Sequence, residues 1–540
     1  MANNFRKVFD RQKWVPVAPT PNAHAAGMVL CSDLRSDISR NPFVYQLVSA
    51  TVLNRYNIVT KSWNLVQSPA LAGTFGAGAG AAFAPSLGLV GTIAAGATAS
   101  SVVLSTPLPT AVGLNMLANR GGSGEYGFKI RIIDPVAGKT AERFITWNTA
   151  GTTPQIGVLS AFGFVPSAGA RYEIIAGRVF MLCAGAVAAN IWRSLEVASN
   201  TLSAGLSTTG LPATIATDSD ILVLDEQYTP FNCNPGDGMV KGGYLYDAGL
   251  TNRYALTATA AAASSITGQA TAGDAVVAAN EFRNFQIRIV EDTTTPAAVG
   301  QRRIIASHTA GPAPVYTLGS AWTTTPSANA KFVIELPNLI LVRSSATTTV
   351  YTYNYGDAAV NNGTNSIAAG AWSTTYFGAA PAANAAGGMW MPSFGIQPDD
   401  GRQARHSFQY FFRGGAANTL DVLDIAGSIT GTWTGAIVYD GAIAGMPAVG
   451  SCGGYAPFDN EGRFFYLNFY VAAAINQVYR FDVKNRVLSP FTPPDIIQSG
   501  TAALGKRMAC YAAQFDGQNW DTVLLLNHLT TVPVEITPLV

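Results

Sequence analysis

The feature that most constrains this chain is a module that occurs twice. Phe128-Lys129-Ile130-Arg131-Ile132-Ile133 matches Phe285-Gln286-Ile287-Arg288-Ile289-Val290. Downstream, Arg143-Phe144-Ile145 and Thr149-Ala150-Gly151 match Arg303-Ile304-Ile305 and Thr309-Ala310-Gly311. Pro166-Ser167-Ala168, running on to Tyr172, matches Pro326-Ser327-Ala328, running on to Phe332. Arg143 and Arg303 lie 160 residues apart, as do Pro166 and Pro326, so the register does not drift. Two modules of common ancestry therefore occupy about 91–175 and 256–335. Alternation such as Phe-x-Ile-x-Ile buries one face of a strand, and the Gly, Pro and Thr clusters between runs supply turns. Each module is expected to be a small antiparallel β-structure.

A second, shorter unit recurs around them. Its marker is a large apolar residue, then Asn, Asp or Glu, then another apolar residue: Tyr56-Asn57-Ile58, Leu195-Glu196-Val197, Tyr353-Asn354-Tyr355, Leu423-Asp424-Ile425 and Phe481-Asp482-Val483. After a polar turn comes Trp or Leu with a small polar residue: Trp63-Asn64, Leu202-Ser203, Trp372-Ser373, Trp433-Thr434 and Leu488-Ser489. Apolar runs precede the markers at 43–53, 179–187, 332–342, 408–412 and 464–471. Short apolar runs bounded by turn residues read as buried strands, so each unit is a hairpin or small meander. Such sheets bury their faces only by stacking, and a β-propeller is the closed arrangement that also protects their edges. Thr522–Leu526 and Val532–Ile536 are available to close the ring, and a further blade has room near Tyr244–Tyr254. The expected fold is all-β: a β-propeller-like ring of five to seven blades with two inserted small antiparallel β modules. The divisions are an N-terminal arm (1–40), propeller parts at 41–90, 176–255 and 336–540, and the inserts at 91–175 and 256–335, which fall between blade units.

Composition narrows the functional classes. Of 540 residues 48% are hydrophobic and only 12% charged, with 33 Lys and Arg against 32 Asp and Glu. Ordinary soluble domains carry about 25% charged residues, so these surfaces expect a neighbour. The net charge of +1 removes the electrostatic basis for non-specific nucleic-acid binding. The five cysteines, Cys31, Cys183, Cys233, Cys452 and Cys510, are far apart and read as buried free thiols. The basic N-terminus lacks the apolar run of a secretory signal. The uncharged stretch Ser62–Asn119 is broken by Pro69, Pro85, Pro107 and Pro109 and is no membrane span.

The marker unit resembles the kelch-type propeller blade, in which an apolar-Asp-apolar strand precedes a turn and a Trp that wedges against the next blade. The paired glycines of kelch blades are not consistently placed, Gly414-Gly415 being one isolated occurrence, so the likeness is one of architecture. The second module's Gly300-Gln301-Arg302-Arg303-Ile304-Ile305, followed by Trp322 and Pro326, resembles a small β-module of tailed-bacteriophage virion proteins. The first module departs from it, with Ala141-Glu142-Arg143 in the turn and Phe162 or Phe164 in place of Trp. Together with the low-charge ring, the resemblance implies a neck, collar or tail-nozzle protein.

Catalytic chemistry finds little purchase. His308 stands where the twin has Asn148 and reads as a turn or surface residue. His406, beside Arg402 and Arg405, reads as a solvated loop; His24 lies in the arm, and His528 follows an apolar strand. No HExxH or HxH pair offers metal ligands. Gly138-Lys139-Thr140 lacks the first glycine of a phosphate loop and reads as a hairpin turn, and Gly76–Ala81 reads as a linker. Asp218, Asp220, Asp225 and Glu226 flank the strand Ile221–Leu224; hard oxygens there suit Ca²⁺, but a solvated strand end is the plainer reading. Asp516-Gly517 lacks the rest of an Asp-box. No catalytic, cofactor-binding or metal site is therefore assigned.

The expected function is that of a non-enzymatic virion subunit forming a homo-oligomeric ring. Its partners would be further copies, neighbouring phage head–tail or tail proteins, and DNA passing a lumen without tight binding. The alternative is a capsid or tail decoration protein that binds host-surface glycan or a receptor through Trp372, Tyr376 and Trp390.

Overall fold

The computed structural model describes residues 15–21, 28–33, 43–67, 79–118, 128–183, 191–228, 255–269, 278–392, 407–441, 451–455, 464–490, 508–514, 520–526 and 534–536, short gaps within those spans aside. Among the described residues strands account for the architecture, with only 3-10 turns besides. Six four-stranded antiparallel sheets form the blades. Blade 1 is β2 (Val29–Ser32), β3 (Phe43–Ser49), β4 (Val52–Asn57) and β5 (Ser62–Gln67). Blade 2 is β6 (Gly80–Ala84), β13 (Arg178–Cys183), β14 (Ile191–Glu196) and β15 (Thr201–Leu202). Blade 3 is β16 (Asp220–Leu224), β23 (Leu339–Arg343), β24 (Val350–Asn354) and β27 (Trp372–Ser373), with the hairpin β25 (Val360–Asn361) and β26 (Ser366–Ile367) before its last strand. Blade 4 is β28 (Met389–Pro392), β29 (Phe408–Phe412), β30 (Thr419–Asp424) and β31 (Thr432–Val438). Blade 5 is β32 (Cys452–Tyr455), β33 (Phe464–Val471), β34 (Ile475–Asp482) and β35 (Val487–Pro490). Blade 6 takes β36 (Met508–Gln514), β37 (Trp520–Leu526) and β38 (Val534–Ile536), and its outer strand is β1 (Val15–Pro16) from the other end of the chain.

The first strands of successive blades touch in a cycle, β2 to β6, β16, β28, β32, β36 and back to β2, so the propeller is closed. The C-terminal segment supplies only three strands of blade 6, and pairing of Val15 with Glu535 and Pro16 with Val534 completes it. The N-terminal residues thus belong in part to the ring: β1 seals it and β2 opens blade 1. The room for a blade near Tyr244–Tyr254 lies outside the described residues.

The marker repeat has a single local cause. Asn57, Glu196, Asn354, Asp424 and Asp482 are each the last residue of a blade's third strand. Each side chain accepts backbone N–H groups two or three residues on: Thr60, Ala198 and Ser199, Gly356, Ala426, and Asn485 respectively. Short polar side chains that bond the backbone ahead of them fix tight turns, which is why the repeat keeps Asn, Asp or Glu there. The following Trp or Leu lies on the fourth strand. Trp372 packs at 4.8 Å on Tyr353 of its own blade and at 5.2 Å on Trp192 of blade 2, so it wedges against the preceding blade.

The twin modules are small barrels. The second comprises β17 (Leu256–Ala262), β18 (Ser265–Gly268), β19 (Gln286–Glu291), β20 (Arg302–His308), β21 (Val315–Leu318) and β22 (Lys331–Glu335), paired in the closed order 17-18-21-20-19-22-17. The first comprises β7 (Val90–Thr92), β8 (Ser101–Val103), β9 (Lys129–Asp134), β10 (Lys139–Asn148), β11 (Gln155–Val158) and β12 (Arg171–Ile175). It runs 7-12-9-10-11-8, and the bridge Ile93–Leu104 joins its ends. Both barrels sit inside a blade rather than between blades, which corrects the sequence reading. Each replaces the loop between first and second strands: Ala84 still pairs with Arg178 across the first, and Leu224 with Leu339 across the second. An insertion at a hairpin loop leaves the sheet's register intact, so the blade survives it.

Candidate functional site at the junction of ring and inserts

The two barrels share a seam. Lys139 of β10 pairs with Glu291 of β19, and the Asp292 N–H donates to the Gly138 carbonyl at 2.8 Å. Gly138 has φ +66°, and a β-carbon there would lie 2.3 Å from the Asp292 carbonyl oxygen. Gly138-Lys139-Thr140 is thus the start of a hairpin strand held against the second barrel.

Beside this seam lies a buried ion network. Alternation turns Ile130 and Ile132 into the first barrel, so Arg131 points out of it. The guanidinium is nevertheless fully buried, because the second barrel and blade 3 cover that face. Its Nε donates to Glu142 at 2.6 Å, and its Nη1 donates to Glu173 of β12 at 3.0 Å and to Glu226 of the 3-10 turn Glu226–Tyr228 that follows β16. From the second barrel, Arg302 lies 3.2 Å from Glu226 and 3.7 Å from Glu173. Arg288, the twin of Arg131, donates to Glu335 at 3.0 Å, and its guanidinium stands 3.9 Å from Glu142. Gln286 donates to Glu226 at 3.3 Å. At the solvent edge Asp357 pairs with Arg171 and Arg302. One cluster of alternating charge therefore ties module to module and both to the ring.

The electrostatics follow from burial and neighbours. Burial raises the Glu226 carboxyl, but Arg131, then Arg302 and Arg288, override it and hold the group well below the usual carboxylate range. Glu142 is lowered in the same way, burial being outweighed by Arg131, Lys129 and Arg288. Asp225, next in sequence to Glu226, behaves in the opposite sense. Burial first and the Glu226 charge second push it up to about 6, against hydrogen bonds from Tyr355, Gln227 and Ser86. Tyr355 donates to it at 2.6 Å and Ser86 Oγ at 2.8 Å, which joins blades 3 and 2. Asp225 and Glu226 are therefore buried structural groups, not the solvated strand end expected. Asp220 turns elsewhere and accepts the Trp390 N–H of blade 4 at 2.6 Å. Asp218 lies outside the described residues, and no group of three or more His, Cys, Asp or Glu among those described is placed to hold a metal ion.

A second buried cation links blades 3 and 4. Arg343 of β23 lies 3.9 Å over the Phe411 ring and 3.3 Å from Asp421. Burial, only partly opposed by Asp421, brings it down to about 10.

The other candidates fall as follows. His308 is buried rather than a surface residue, and its Nε2 accepts the Phe282 N–H at 2.9 Å. Trp372, Tyr376 and Trp390 are also buried, so they offer no sugar-stacking platform. Gly80 and Ala81 belong to the inner strand β6, not to a linker. Cys31 and Cys452 are buried free thiols. His24, His406, His528 and Asp516-Gly517 lie outside the described residues. No helix is long and apolar enough to cross a membrane among those described. Sequence reasoning missed Arg131, Glu142, Glu173, Arg288, Arg302 and Glu335. The available signal was an arginine kept at the same step of both copies, at Arg131 and Arg288, in a chain that carries few charges.

The motif of the second module acts as a clasp. Gln301 Oε1 accepts the Thr323 and Thr324 N–H groups, and its amide donates to the Thr324 carbonyl at 2.8 Å. Arg303 Nε donates to the Ala321 carbonyl at 2.7 Å, and the guanidinium lies 5.6 Å over the Trp322 ring. The first barrel keeps half of this: Arg143 Nε donates to the Ala161 carbonyl at 2.8 Å, while Ala141 stands where Gln301 does.

No protein-family model matches the chain, and no curated protein matches it. Among solved structures it is similar to Sqt1 of Saccharomyces cerevisiae, at 8% identity over 98% of this chain and 99% of that one, with a TM-score of 0.30. It is also similar to an ulvan lyase, at 8% identity over 97% and 96% of the two chains with a TM-score of 0.25. The NanB sialidase of Streptococcus pneumoniae matches at 8% identity over 95% and 81%, with a TM-score of 0.23.

Proposed function

We propose that this protein is a structural subunit of a tailed-bacteriophage virion, assembling as a multi-copy ring in the neck, collar or tail nozzle, and that it is not an enzyme. The observation that carries this reading is the clasp. Gln301, Arg303 and Trp322, on which the resemblance to the phage virion β-module rests, act together on one loop, 321–324. Support comes from how the chain spends its few charges. Arg131, Arg288 and Arg302 are consumed in fastening barrels to ring, and Glu142, Glu173, Glu226 and Glu335 are their partners. A carboxylate locked between guanidinium groups is a poor proton carrier, whereas general acid–base work needs a group poised near the working pH. Asp225 has such a value, yet it is enclosed by Ser86, Tyr355 and Gln227. A subunit stiffened this way transmits load between neighbours, and low surface charge lowers the ordering cost of packing.

Sedimentation velocity of the purified chain tests the reading. Discrete species of many copies support it, and a single subunit at every concentration and salt contradicts it. The alternative, a glycan-binding decoration protein, loses its candidate platform with the burial of Trp372, Tyr376 and Trp390.

A further inference from the structure

The stems of the two barrels meet at one buried carboxyl. Ser86 is the second residue past β6, on the way into the first barrel, and Asp225 is the first residue past β16, on the way into the second. Asp225 Oδ2 accepts three hydrogen bonds: from the Ser86 N–H at 3.2 Å, the Ser86 hydroxyl at 2.8 Å and the Tyr355 hydroxyl at 2.6 Å. Its Oδ1 accepts the Gln227 N–H at 2.7 Å. Blades 2 and 3 thus share a single oxygen atom at the point where both inserts leave the ring.

The Tyr355 hydroxyl has one proton and two acceptors. Its oxygen lies 2.8 Å from the Leu224 carbonyl as well as 2.6 Å from Asp225. A phenol both donates and accepts, so two arrangements satisfy the same atoms. With Asp225 ionised, Tyr355 donates to the carboxylate. With Asp225 neutral, the carboxyl donates to the Tyr355 oxygen and the phenol proton turns to the Leu224 carbonyl. The Ser86 hydroxyl cannot take that part, because it has no second acceptor among the described residues. The titratable groups beside Asp225 keep their states while it changes. Glu226, next in the chain, stays ionised against Arg131, Arg302 and Arg288. Burial and the Asp225 charge hold the Tyr355 phenol well above its usual value, with Glu226 and Tyr228 adding to the effect. Burial and then the Glu226 charge bring Asp225 itself up to about 6, inside the range of ordinary media.

We propose that Asp225, Tyr355 and Ser86 form a proton-operated latch on the stem of the first barrel. Ionised, the carboxylate binds both Ser86 donors through charge-assisted hydrogen bonds, which are about twice as strong as neutral ones. Uptake of one proton from the medium makes Oδ2 a hydroxyl oxygen, directs that proton to Tyr355 and leaves Ser86 two weaker bonds; the phenol proton is only re-aimed. The fold as a whole is not weakened, because a carboxyl with a raised folded value binds its proton more tightly in the folded chain. Nor is the barrel released, since Arg131 keeps its direct bonds to Glu142, Glu173 and Glu226. The loosening is local to Ser86 and to Leu87, whose carbonyl accepts the Ala176 and Gly177 N–H groups where the chain returns from the barrel.

The test uses the full chain across pH 4.5 to 7.5. Infrared difference spectra of the parent should gain a carboxylic-acid C=O band with a midpoint near pH 6 that D225N lacks. In Y355F that band should move to higher frequency, because the acid's proton has lost its acceptor. Amide exchange in the segment holding Ser86, divided by the intrinsic rate at each pH, should quicken on the order of 5-fold between pH 7.5 and 5 in the parent, as a charge-assisted bond becomes a neutral one. The same ratio should stay constant in D225N, and exchange at 130–132 should not change in either protein. A parent with no Asp225 band in this range, a band that Y355F leaves in place, or Ser86 protection that ignores pH or follows it equally in D225N would overturn the latch. So would exchange at 130–132 that quickens in step with Ser86. The assembly reading is untouched by any of these results.

Discussion

His308 Nε2 accepts the Phe282 N–H at 2.9 Å in the second barrel where Asn148 Oδ1 accepts the Leu117 N–H at 2.9 Å in the first. An imidazole nitrogen and an amide oxygen thus do the same task on a duplicated scaffold. The ring must be the neutral tautomer with its proton on Nδ1, which faces the Thr309 carbonyl at 2.9 Å. Burial lowers the His308 pKa, against the Thr309 hydrogen bond that raises it. A histidine with a depressed folded pKa gives stability that is present above its unfolded value, about 6.5, and is lost as pH falls below that.

His308→Asn should accordingly preserve the fold and remove part of the acid sensitivity. His308→Ala, which leaves the buried Phe282 N–H without an acceptor, should cost about 1–3 kcal/mol. Urea melts of the three proteins at pH 7.5 and 5.5 check both statements.

Much of the molecule was legible because its signals are local. The all-β class, the five turn markers and the duplication rest on side-chain alternation and on Asx-type turn bonding, both visible within a few residues of sequence. The placement of the barrels inside blades was not legible. It depends on Ala84 finding Arg178 and Leu224 finding Leu339 across the inserts. The buried aromatics and His308 were misjudged for the same reason, since burial by a neighbouring blade or loop leaves no mark in the residue's own segment. Arg131 is the sharpest case: alternation points it outward, and only a second barrel makes that direction an interior.

Arg131→Met should be among the most damaging substitutions. It removes the guanidinium that Glu142, Glu173 and Glu226 share, leaving them only the flanking Arg288 and Arg302, and breaking a buried pair from one side costs about 3–5 kcal/mol. Arg131→Lys should rescue little, because one ammonium cannot reproduce the guanidinium fork that reaches three carboxylates. Thermal unfolding with hydrogen exchange at 130–132 and 287–289 would show both barrels loosening together.

Asp225 predicts an opposite pH trend. A carboxyl raised to about 6 in the folded state binds its proton more tightly there than in the unfolded chain, so its contribution to stability grows as pH falls from about 6 toward 4. The shift corresponds to about 3 kcal/mol. Asp225→Asn should abolish this gain, as read from melting temperatures at pH 4.5, 5.5 and 7. Glu226 and Glu142, held low by arginines, act in reverse and lose their contribution only in stronger acid.

Gly138→Ala should open the seam between barrels. The residue sits at positive φ, and the added methyl would meet the Asp292 carbonyl at 2.3 Å. A loss of about 1–3 kcal/mol is expected from backbone strain alone. Faster amide exchange at Asp292, which donates across the seam, is the specific readout.

A virion subunit of the neck or nozzle must be found on the particle at that place. Electron micrographs of tailed phage particles bearing this chain, labelled with gold-conjugated antibody against the folded protein, should show gold at the head–tail neck or the tail tip, with several particles per site. Virions free of label, with the chain recovered only from the host cell fraction, would contradict it.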